Sequence, residues 1–231
     1  MTPTRSRRTV KPWAGIAVAA LLLTGCGAAP ALQPGVAARV GSDRITVRQV
    51  DEVTQHYCEA AEQQLSKGQS IAQHFLRGQT AGALALRAAA SQFAADEGVT
   101  ADPSYDQAVK NAEQSLSSMT DQERQAFIDV QGAGAYVSAV ELAAGRRIAA
   151  KHGGGAGDKA AQAAGASAFT RWLADHDVQL DPRFGVSIAG GTTKPADTSL
   201  SYAVSSVAKS GAENSADSGY ASTLPVTQRC N

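Results

Sequence analysis

The chain has 231 residues, with 21 basic and 21 acidic side chains and only 5% aromatic residues. Four of the basic residues fall within the first 25 positions, so the rest of the chain has four more acidic than basic residues. This acidic excess argues against nucleic-acid binding and against electrostatic docking on anionic lipid. Abundant alanine with few aromatic residues favours closely packed helices over a sheet-rich sandwich, so the predicted fold class is mainly α.

Residues 1–25 have the pattern of an export signal. A basic start that ends at Lys11 precedes the apolar run Ala14–Leu23, which is too short to span a bilayer. The residues that close this run resemble the lipobox of bacterial lipoproteins: Leu23, Thr24, Gly25 and Cys26. The resemblance implies cleavage before Cys26 and a diacylglyceryl thioether on its sulfur. The mature protein is then expected at the cell membrane, lipid-anchored in the bilayer on the extracytoplasmic face.

Two alternatives concern this signal. The small residues of 28–31 also allow cleavage of an ordinary secretory signal, in which case Cys26 falls there by chance. Ser6, Arg7 and Arg8 touch the twin-arginine pattern, but Val10 and Lys11 replace its usual apolar pair. The sequence therefore leaves the export route open between the general and the twin-arginine pathways.

A short tether and a hairpin are predicted next. Residues 26–36 carry two prolines and read as a tether between the membrane and the folded body. Two short extended pieces, 37–40 and 44–45, flank a turn at Gly41 and predict a small β-hairpin. Thr46 followed by Gln49 forms a capping-box pattern, which predicts a helix over 47–66.

Further capping patterns predict the helices of the body. Ser70 with Gln73 predicts a second helix that ends near Gly98, and Asp102-Pro103 opens a short helix to about residue 118. A third capping box begins at Thr120 and predicts a long helix through residue 148, with glycines 132 and 134 as points where it can kink.

The last third of the chain changes in character. The glycine run 153–157 predicts a flexible break, after which Asp158 is expected to cap an alanine-rich helix. Residues 178–180 and 184–188 predict two short strands around a turn. From 189 to 222 the chain is rich in Ser, Ala, Gly and Thr, which predicts a largely disordered stretch. The low-complexity tail over 189–231 is expected to end in a segment anchored by a disulfide.

Two segments resemble a chaperone family. Residues 40–51, with Gly41 in the turn, resemble the opening of SurA-like and PrsA-like N-terminal domains: strand, glycine turn, strand, cap and helix. In that family a strand after the last helix leads to a Pro-Arg-aromatic-Gly turn, which is matched by Pro182, Arg183, Phe184 and Gly185. The resemblance implies a helical chaperone domain over 37–188. The alternative is an ordinary helical-hairpin start in an unrelated helical domain.

One departure from the family bears on activity. Many relatives carry a parvulin prolyl-isomerase domain between the helical body and the final helix, where this chain has only the glycine run 153–157. A domain of that kind needs about a hundred residues. We therefore expect no isomerase activity and no enzyme.

The two remaining cysteines form a candidate pair. With Cys26 taken by lipid, Cys58 and Cys230 are an even pair in an exported, oxidising compartment, so a disulfide between them is predicted to fasten the tail to the helical body. The alternatives are two unpaired thiols or an intermolecular bond.

Patterns for catalysis or cofactors are weak. The four histidines are scattered, so no metal site is predicted; Asp175-His176-Asp177 reads as a polar helix end. Ser206 to Lys209 fits S-x-x-K, but the companion patterns of penicillin-binding enzymes are missing. We expect no catalytic residue and no cofactor.

The function predicted from these patterns is a membrane-anchored, non-catalytic chaperone-like protein that holds unfolded or exported polypeptides. Apolar surfaces on the helices over 71–93 and 127–148 are the candidate contacts, although each position can equally belong to the core. The alternative is a structural or adaptor lipoprotein that binds one partner in the cell envelope.

Overall fold

A computed structural model describes residues 33–155, 157–196, 203–212 and 215–231. Within these ranges the chain forms eight α-helices and seven short strands, a mainly α fold as predicted. None of the helices in them combines the length and apolar character needed to cross a bilayer. The predicted signal, the lipobox and Cys26 lie outside the described residues.

The predicted N-terminal hairpin is confirmed. Strands β1 (Val36–Val40) and β2 (Asp43–Thr46) pair antiparallel around Gly41, whose φ of 54° suits glycine. The other edge of β1 pairs antiparallel with β4 (Val178–Leu180), so that the strand order is β2-β1-β4. This sheet brings the hairpin next to the segment that leads into Pro182.

Helix α1 (Val47–Glu62) begins as predicted and ends four residues early. The Thr46 hydroxyl accepts a hydrogen bond from the Gln49 backbone N–H at 3.1 Å. Helix α2 (Gln73–Glu97) ends at Gly98, which adopts the left-handed conformation with φ of 61°. The predicted glycine stop is therefore confirmed.

The predicted start of α2 at a Ser70 cap is wrong. Residues Ile71–Ala72 form strand β3, and the helix begins after Ala72 without a side-chain cap. Strand β3 pairs with β7 (Arg229–Cys230), a partner far along the chain that local sequence patterns do not reveal. This long-range pairing holds residues 71–72 extended.

Three further helices follow α2. The Thr120–Glu123 capping box is present in both directions at the start of α4. The predicted long helix is two helices, because the chain breaks at Gly132 between α4 and α5. The helices are α3 (Ser104–Ser115), α4 (Asp121–Gln131) and α5 (Ala133–Lys151).

Helix α6 (Asp158–Asp175) runs antiparallel to α5 at very short range. Gly157, not Asp158, is its N-cap, because Asp158 already lies in the first turn and pairs with Arg146 of α5 at 2.8 Å. A Cβ atom at Gly145 would overlap the Ala161 carbonyl oxygen, and one at Gly165 would overlap the Glu141 carbonyl oxygen. The two backbones therefore touch where the side chains are smallest.

The main core lies between α2, α5, α6 and the three-stranded sheet. Phe93 and Phe169 are both buried, with ring centroids 5.2 Å apart. Trp172 packs on both rings and donates its indole N–H to Asp96 at 2.8 Å. These contacts fix α6 on α2.

After β4 the chain continues with regular structure. Elements formed by the described residues are a 3-10 helix (Pro182–Phe184), β5 (Val186–Ala189), β6 (Thr192–Pro195), α7 (Ser206–Ala212), α8 (Ser218–Thr223), a second 3-10 helix (Val226–Gln228) and β7. Strand β6 and helices α7 and α8 lie within or at the end of the stretch whose composition predicts disorder. Pairing of β5 with β6, and of β7 with β3, supplies backbone partners that composition does not show.

Candidate functional site

An open groove of about 340 Å³ lies between α2, the junction of α4 and α5, and the β5–β6 hairpin. Its apolar walls come from all three elements. Gln79 and Gln131 add amide groups, and Lys194 is the one charged residue in the lining. The lining consists of Phe75, Gln79, Ala83, Leu86, Val130, Gln131, Ala133, Gly134, Val186, Gly191, Thr192, Thr193, Lys194 and Pro195.

Strand β6 presents its open edge to this groove. Residues 191–195 all line it, whereas β5 contributes only Val186. Among the described residues β6 pairs only with β5. The side of β6 that faces the groove therefore carries backbone groups without a strand partner in this part of the chain.

The hairpin register identifies those groups. Gly190 and Gly191 have φ of 59° and 73°, as a two-residue turn with two left-handed positions requires, and Ala189 stands opposite Thr192. Hydrogen-bonded and non-hydrogen-bonded pairs alternate away from the turn, which makes Ile188–Thr193 a non-hydrogen-bonded pair. The N–H and C=O of Thr193 consequently point away from β5, on the groove side.

Close packing on helix α2 holds the hairpin in place. A Cβ atom at Gly82 would lie 2.5 Å from the Thr193 methyl carbon, so that the hairpin lies directly on the helix backbone there. At the turn, a Cβ atom at Gly191 would lie 3.3 Å from both the Glu141 carboxylate and the Phe169 ring. The turn and the first half of β6 are thus supported by residues of the helical body.

The turn that resembles the family motif supports the start of β5. Phe184 is buried, and the Arg77 guanidinium lies 5.5 Å from its ring centroid, in cation–π range. Arg77 also pairs with Asp51 of α1 at 2.7 Å. Gly185 adopts φ of 61°, which turns the chain into β5. Arg183 donates to Asp181 and holds the pKa of that carboxyl below its usual value.

The opposite wall of the groove is fixed through α1. Gln131, the last residue of α4, donates its side-chain N–H to the Tyr57 hydroxyl. Burial raises the pKa of Tyr57, and the hydrogen bond from Gln131 opposes that rise. The Tyr57 ring also packs against Phe127, with ring centroids 6.1 Å apart.

A buried carboxyl lies behind the turn of the hairpin. Glu141 of α5 is 8% exposed and accepts a hydrogen bond from Gln162 at 2.7 Å. Burial raises its pKa, and the Gln162 hydrogen bond lowers it by a smaller amount. Among the described residues no cation pairs with Glu141.

The predicted disulfide is present. Cys58 of α1 and Cys230 of β7 are joined, with their Cα atoms 5.6 Å apart. Glu62 lies beside them, and the three residues would supply metal-ligand atoms if both sulfurs were free. In the disulfide the two sulfurs bond each other, so the cluster is not a metal site in this form.

The residues of the weak catalytic patterns lie at the C-terminal end of α6 and on the short helix α7. His176 stacks on Trp172, with ring centroids 3.8 Å apart, and its Nδ1 lies 2.8 Å from the Trp172 carbonyl oxygen. Ser206 and Lys209 are exposed on the short helix α7.

Comparisons of the chain with protein-family models, with curated proteins and with solved structures gave no match. The resemblance to SurA-like domains therefore rests on the residues around Gly41 and on the Pro182–Gly185 turn alone.

The sequence predicted helices that carry two walls of the groove, but it predicted neither the groove nor the strand that forms its third wall. Candidate helices over 71–93 and 127–148 supply the residues of α2 and of the α4–α5 junction. Strand β6 was assigned to the tail. The Gly190-Gly191 pair between Val186–Ile188 and Thr192–Thr193 is a hairpin signal that would have identified it.

Proposed function

We propose that this chain is a lipid-anchored, extracytoplasmic, non-catalytic chaperone-like protein that holds extended segments of unfolded or exported polypeptides in the groove beside β6. The observation that carries the proposal is the open edge of β6 facing an apolar groove. Backbone groups recognise an extended chain of almost any sequence, and apolar walls accept its larger side chains. Both properties suit a protein with many clients.

The dimensions of the site fit this use. Four residues of β6 extend about 13 Å, and an added strand would lie about 4.8 Å from it. Phe75 is half-buried in the α2 wall of the groove and offers an aromatic ring to side chains of such a strand. Because the groove is open, a segment can enter and leave without unfolding of the helices.

Aggregation of unrelated unfolded clients tests the proposal. We expect the full chain to suppress light scattering by several chemically denatured proteins at stoichiometric amounts. Thr193→Pro removes the N–H that faces the groove and leaves the bonded pairs of the hairpin intact, so most of the protection should be lost. The matched control Thr193→Val keeps the N–H and the side-chain shape, and should protect like the wild type.

Two outcomes would contradict this function. Equal protection by the proline and valine variants, with unchanged circular dichroism, would show that the strand edge is not used. Protection of no client, together with a tight complex with one folded envelope protein, would favour the adaptor alternative.

The anchor is tested separately at the lipobox. We expect Cys26→Ser to abolish fatty-acid labelling and to release the protein from the membrane fraction, because the acyl chains supply the membrane affinity. Ala28→Ser, two residues further on, should leave labelling unchanged. Continued labelling of the Cys26 variant would remove the lipoprotein assignment and leave the groove proposal standing.

A further inference from the structure

Three side chains that can bind a metal ion meet where the C-terminal strand β7 reaches helix α1. They belong to Cys58, Glu62 and Cys230, and their sulfur and carboxylate oxygen atoms all lie within 4.8 Å of one another. None of the three lines the groove beside β6. The two sulfurs bond each other in the oxidised chain, but cysteine enters a protein as a thiol. Every newly made chain therefore passes through a dithiol form in which both sulfurs are free.

The backbone elements place these side chains on one another. Cys58 and Glu62 are four residues apart in α1, so their side chains share one face of the helix. Cys230 stands opposite Ile71 in the antiparallel pair of β3 with β7, and it is fully buried. Glu62 is exposed and Cys58 half-buried, so an ion can reach the sulfurs from solvent on the Glu62 side.

The distances suit one small cation with tetrahedral ligands. In zinc sites sulfur lies about 2.3 Å and oxygen about 2.1 Å from the ion, which places a sulfur and an oxygen ligand about 3.6 Å apart. The Glu62 Oε1 atom lies 3.4 Å from the Cys58 sulfur and 3.9 Å from the Cys230 sulfur. Two sulfur ligands lie about 3.8 Å apart, which side-chain rotation allows for Cα atoms separated by 5.6 Å.

A backbone hydrogen bond orients the carboxylate. The Asn231 N–H donates to the same Glu62 Oε1 atom at 3.3 Å. Hydrogen bonds from outside the ligand set hold a metal ligand in position and support metal affinity. Thiols lose their protons when they bind a metal ion, so Cys58, Cys230 and Glu62 together would present three negative charges to it. This charge favours a divalent cation.

We propose that the dithiol form of this chain binds one zinc ion through Cys58, Cys230 and Glu62, with water in the fourth position. Zinc accepts thiolate and carboxylate ligands together, whereas magnesium and calcium take oxygen ligands and copper(I) takes soft sulfur ligands. The ion joins β7 to α1 before the disulfide exists. When a disulfide oxidant accepts two electrons from the thiolates, the Cys58–Cys230 bond forms, the oxidant takes up two protons and becomes two thiols, and Zn²⁺ leaves with its charge unchanged.

Cobalt titration tests the site in the full chain that carries Cys26→Ser, so that only two cysteines remain. The chain is reduced with a phosphine in the absence of oxygen. Co²⁺ bound by thiolates gives a near-ultraviolet charge-transfer band, and we expect this band at one ion per chain and its loss when Zn²⁺ displaces Co²⁺. Glu62→Gln should weaken Co²⁺ binding about tenfold or more, since even groups outside the ligand set change metal affinity by that factor. Glu52→Gln removes an exposed carboxylate of the same helix and should bind like the unsubstituted chain.

The spectra decide between the outcomes. A charge-transfer band in the reduced chain and none in the disulfide-bonded chain supports the site. Absence of the band in the reduced chain, whatever its circular dichroism, overturns it. Equal Co²⁺ affinity with glutamate or glutamine at position 62 also overturns the three-ligand site. A ratio of one ion to two chains overturns it in favour of a metal ion shared between two molecules.

Discussion

Helices α5 and α6 form a closed interface, whereas α2 and the β5–β6 hairpin form one that opens into a groove. Both interfaces use glycine for close approach. At α5–α6 two glycines, Gly145 and Gly165, place backbone on backbone along the crossing. On α2, Gly82 receives the hairpin through Thr193, and the surface beside that contact opens into the groove. One interface therefore leaves no space between its elements, whereas the other leaves the open groove on which the proposed binding depends.

The largest expected effect is at the closed interface. Gly165→Ala places a methyl group on the Glu141 carbonyl oxygen, and neither backbone can move without disturbing the core. We expect a loss of about 3 kcal/mol in the free energy of unfolding, at the upper end of overpacking effects. Urea denaturation followed by Trp172 fluorescence measures it.

A matched glycine provides the control for that prediction. A Cβ atom at Gly134, in the first turn of α5, would meet nothing within 4 Å. Gly134→Ala should therefore be neutral or stabilise by up to about 1 kcal/mol, since alanine favours the helix. Equal destabilisation by both substitutions would show that the close α5–α6 contact does not cause the loss of stability at Gly165.

An intermediate effect is expected at the start of α2, next to the open side. The Cys58–Cys230 bond holds β7 on β3, directly before the helix that carries Phe75. Replacing both cysteines by serine should cost about 2 kcal/mol in the free energy of unfolding, less than the chain-entropy value for a loop of 172 positions, because the reduced protein can release its C-terminal segment while the helices stay folded. Hydrogen exchange should accelerate most at residues 71–75, where β3 loses its partner strand, and less in α5 and α6. Equal acceleration in all three regions would show that residues 71–75 are not stabilised independently of α5 and α6.

The smallest effect is expected at Glu141, whose backbone lies against Gly165 of α6 and whose carboxylate lies near Gly191 of the hairpin turn. Burial raises the pKa of its carboxyl above the ordinary 4.5, so the folded state favours the protonated form. The stability that this group contributes is fully present below pH 4.5 and is lost as the pH rises through the raised pKa. Glu141→Gln should then be more stable than the wild type at pH 7, by about 1 kcal/mol or less.

The pH dependence distinguishes ionisation from packing in that variant. The advantage of Glu141→Gln over the wild type should shrink between pH 7 and pH 4.5, as the wild-type carboxyl takes up its proton. Urea denaturation at several pH values measures this difference. An advantage independent of pH would contradict the assignment to the buried carboxyl.

Local signals predicted the elements whose causes are local. The Thr120–Glu123 capping box, the turn at Gly41 and the stop at Gly98 each depend on neighbours within a few residues, and all three are present. Ser70 looked like a cap in the same way and is not one. Its segment pairs with β7, and a partner so distant in sequence leaves no trace in local spacing.

The same distinction between local and long-range causes applies to the candidate site. Apolar periodicity identified the helices that line the groove, because the residues of one helix face share a spacing. Strand β6 was not predicted, because a stretch rich in small polar residues has the composition of a disordered segment even where a hairpin forms. The sequence also did not predict the close contact between α5 and α6 at Gly145 and Gly165. Each of these glycines faces the backbone of the other helix, and local spacing carries no information about that partner.

The disulfide also constrains the order in which parts of the chain can be joined during folding. Cys58 and Cys230 are separated by 172 positions, so in a chain delivered from its N-terminus the Cys58 thiol cannot form this bond until Cys230 has followed. Until then the Cys58 thiol has no partner from β7. Formation of the bond therefore marks the stage at which β7 can be held on β3.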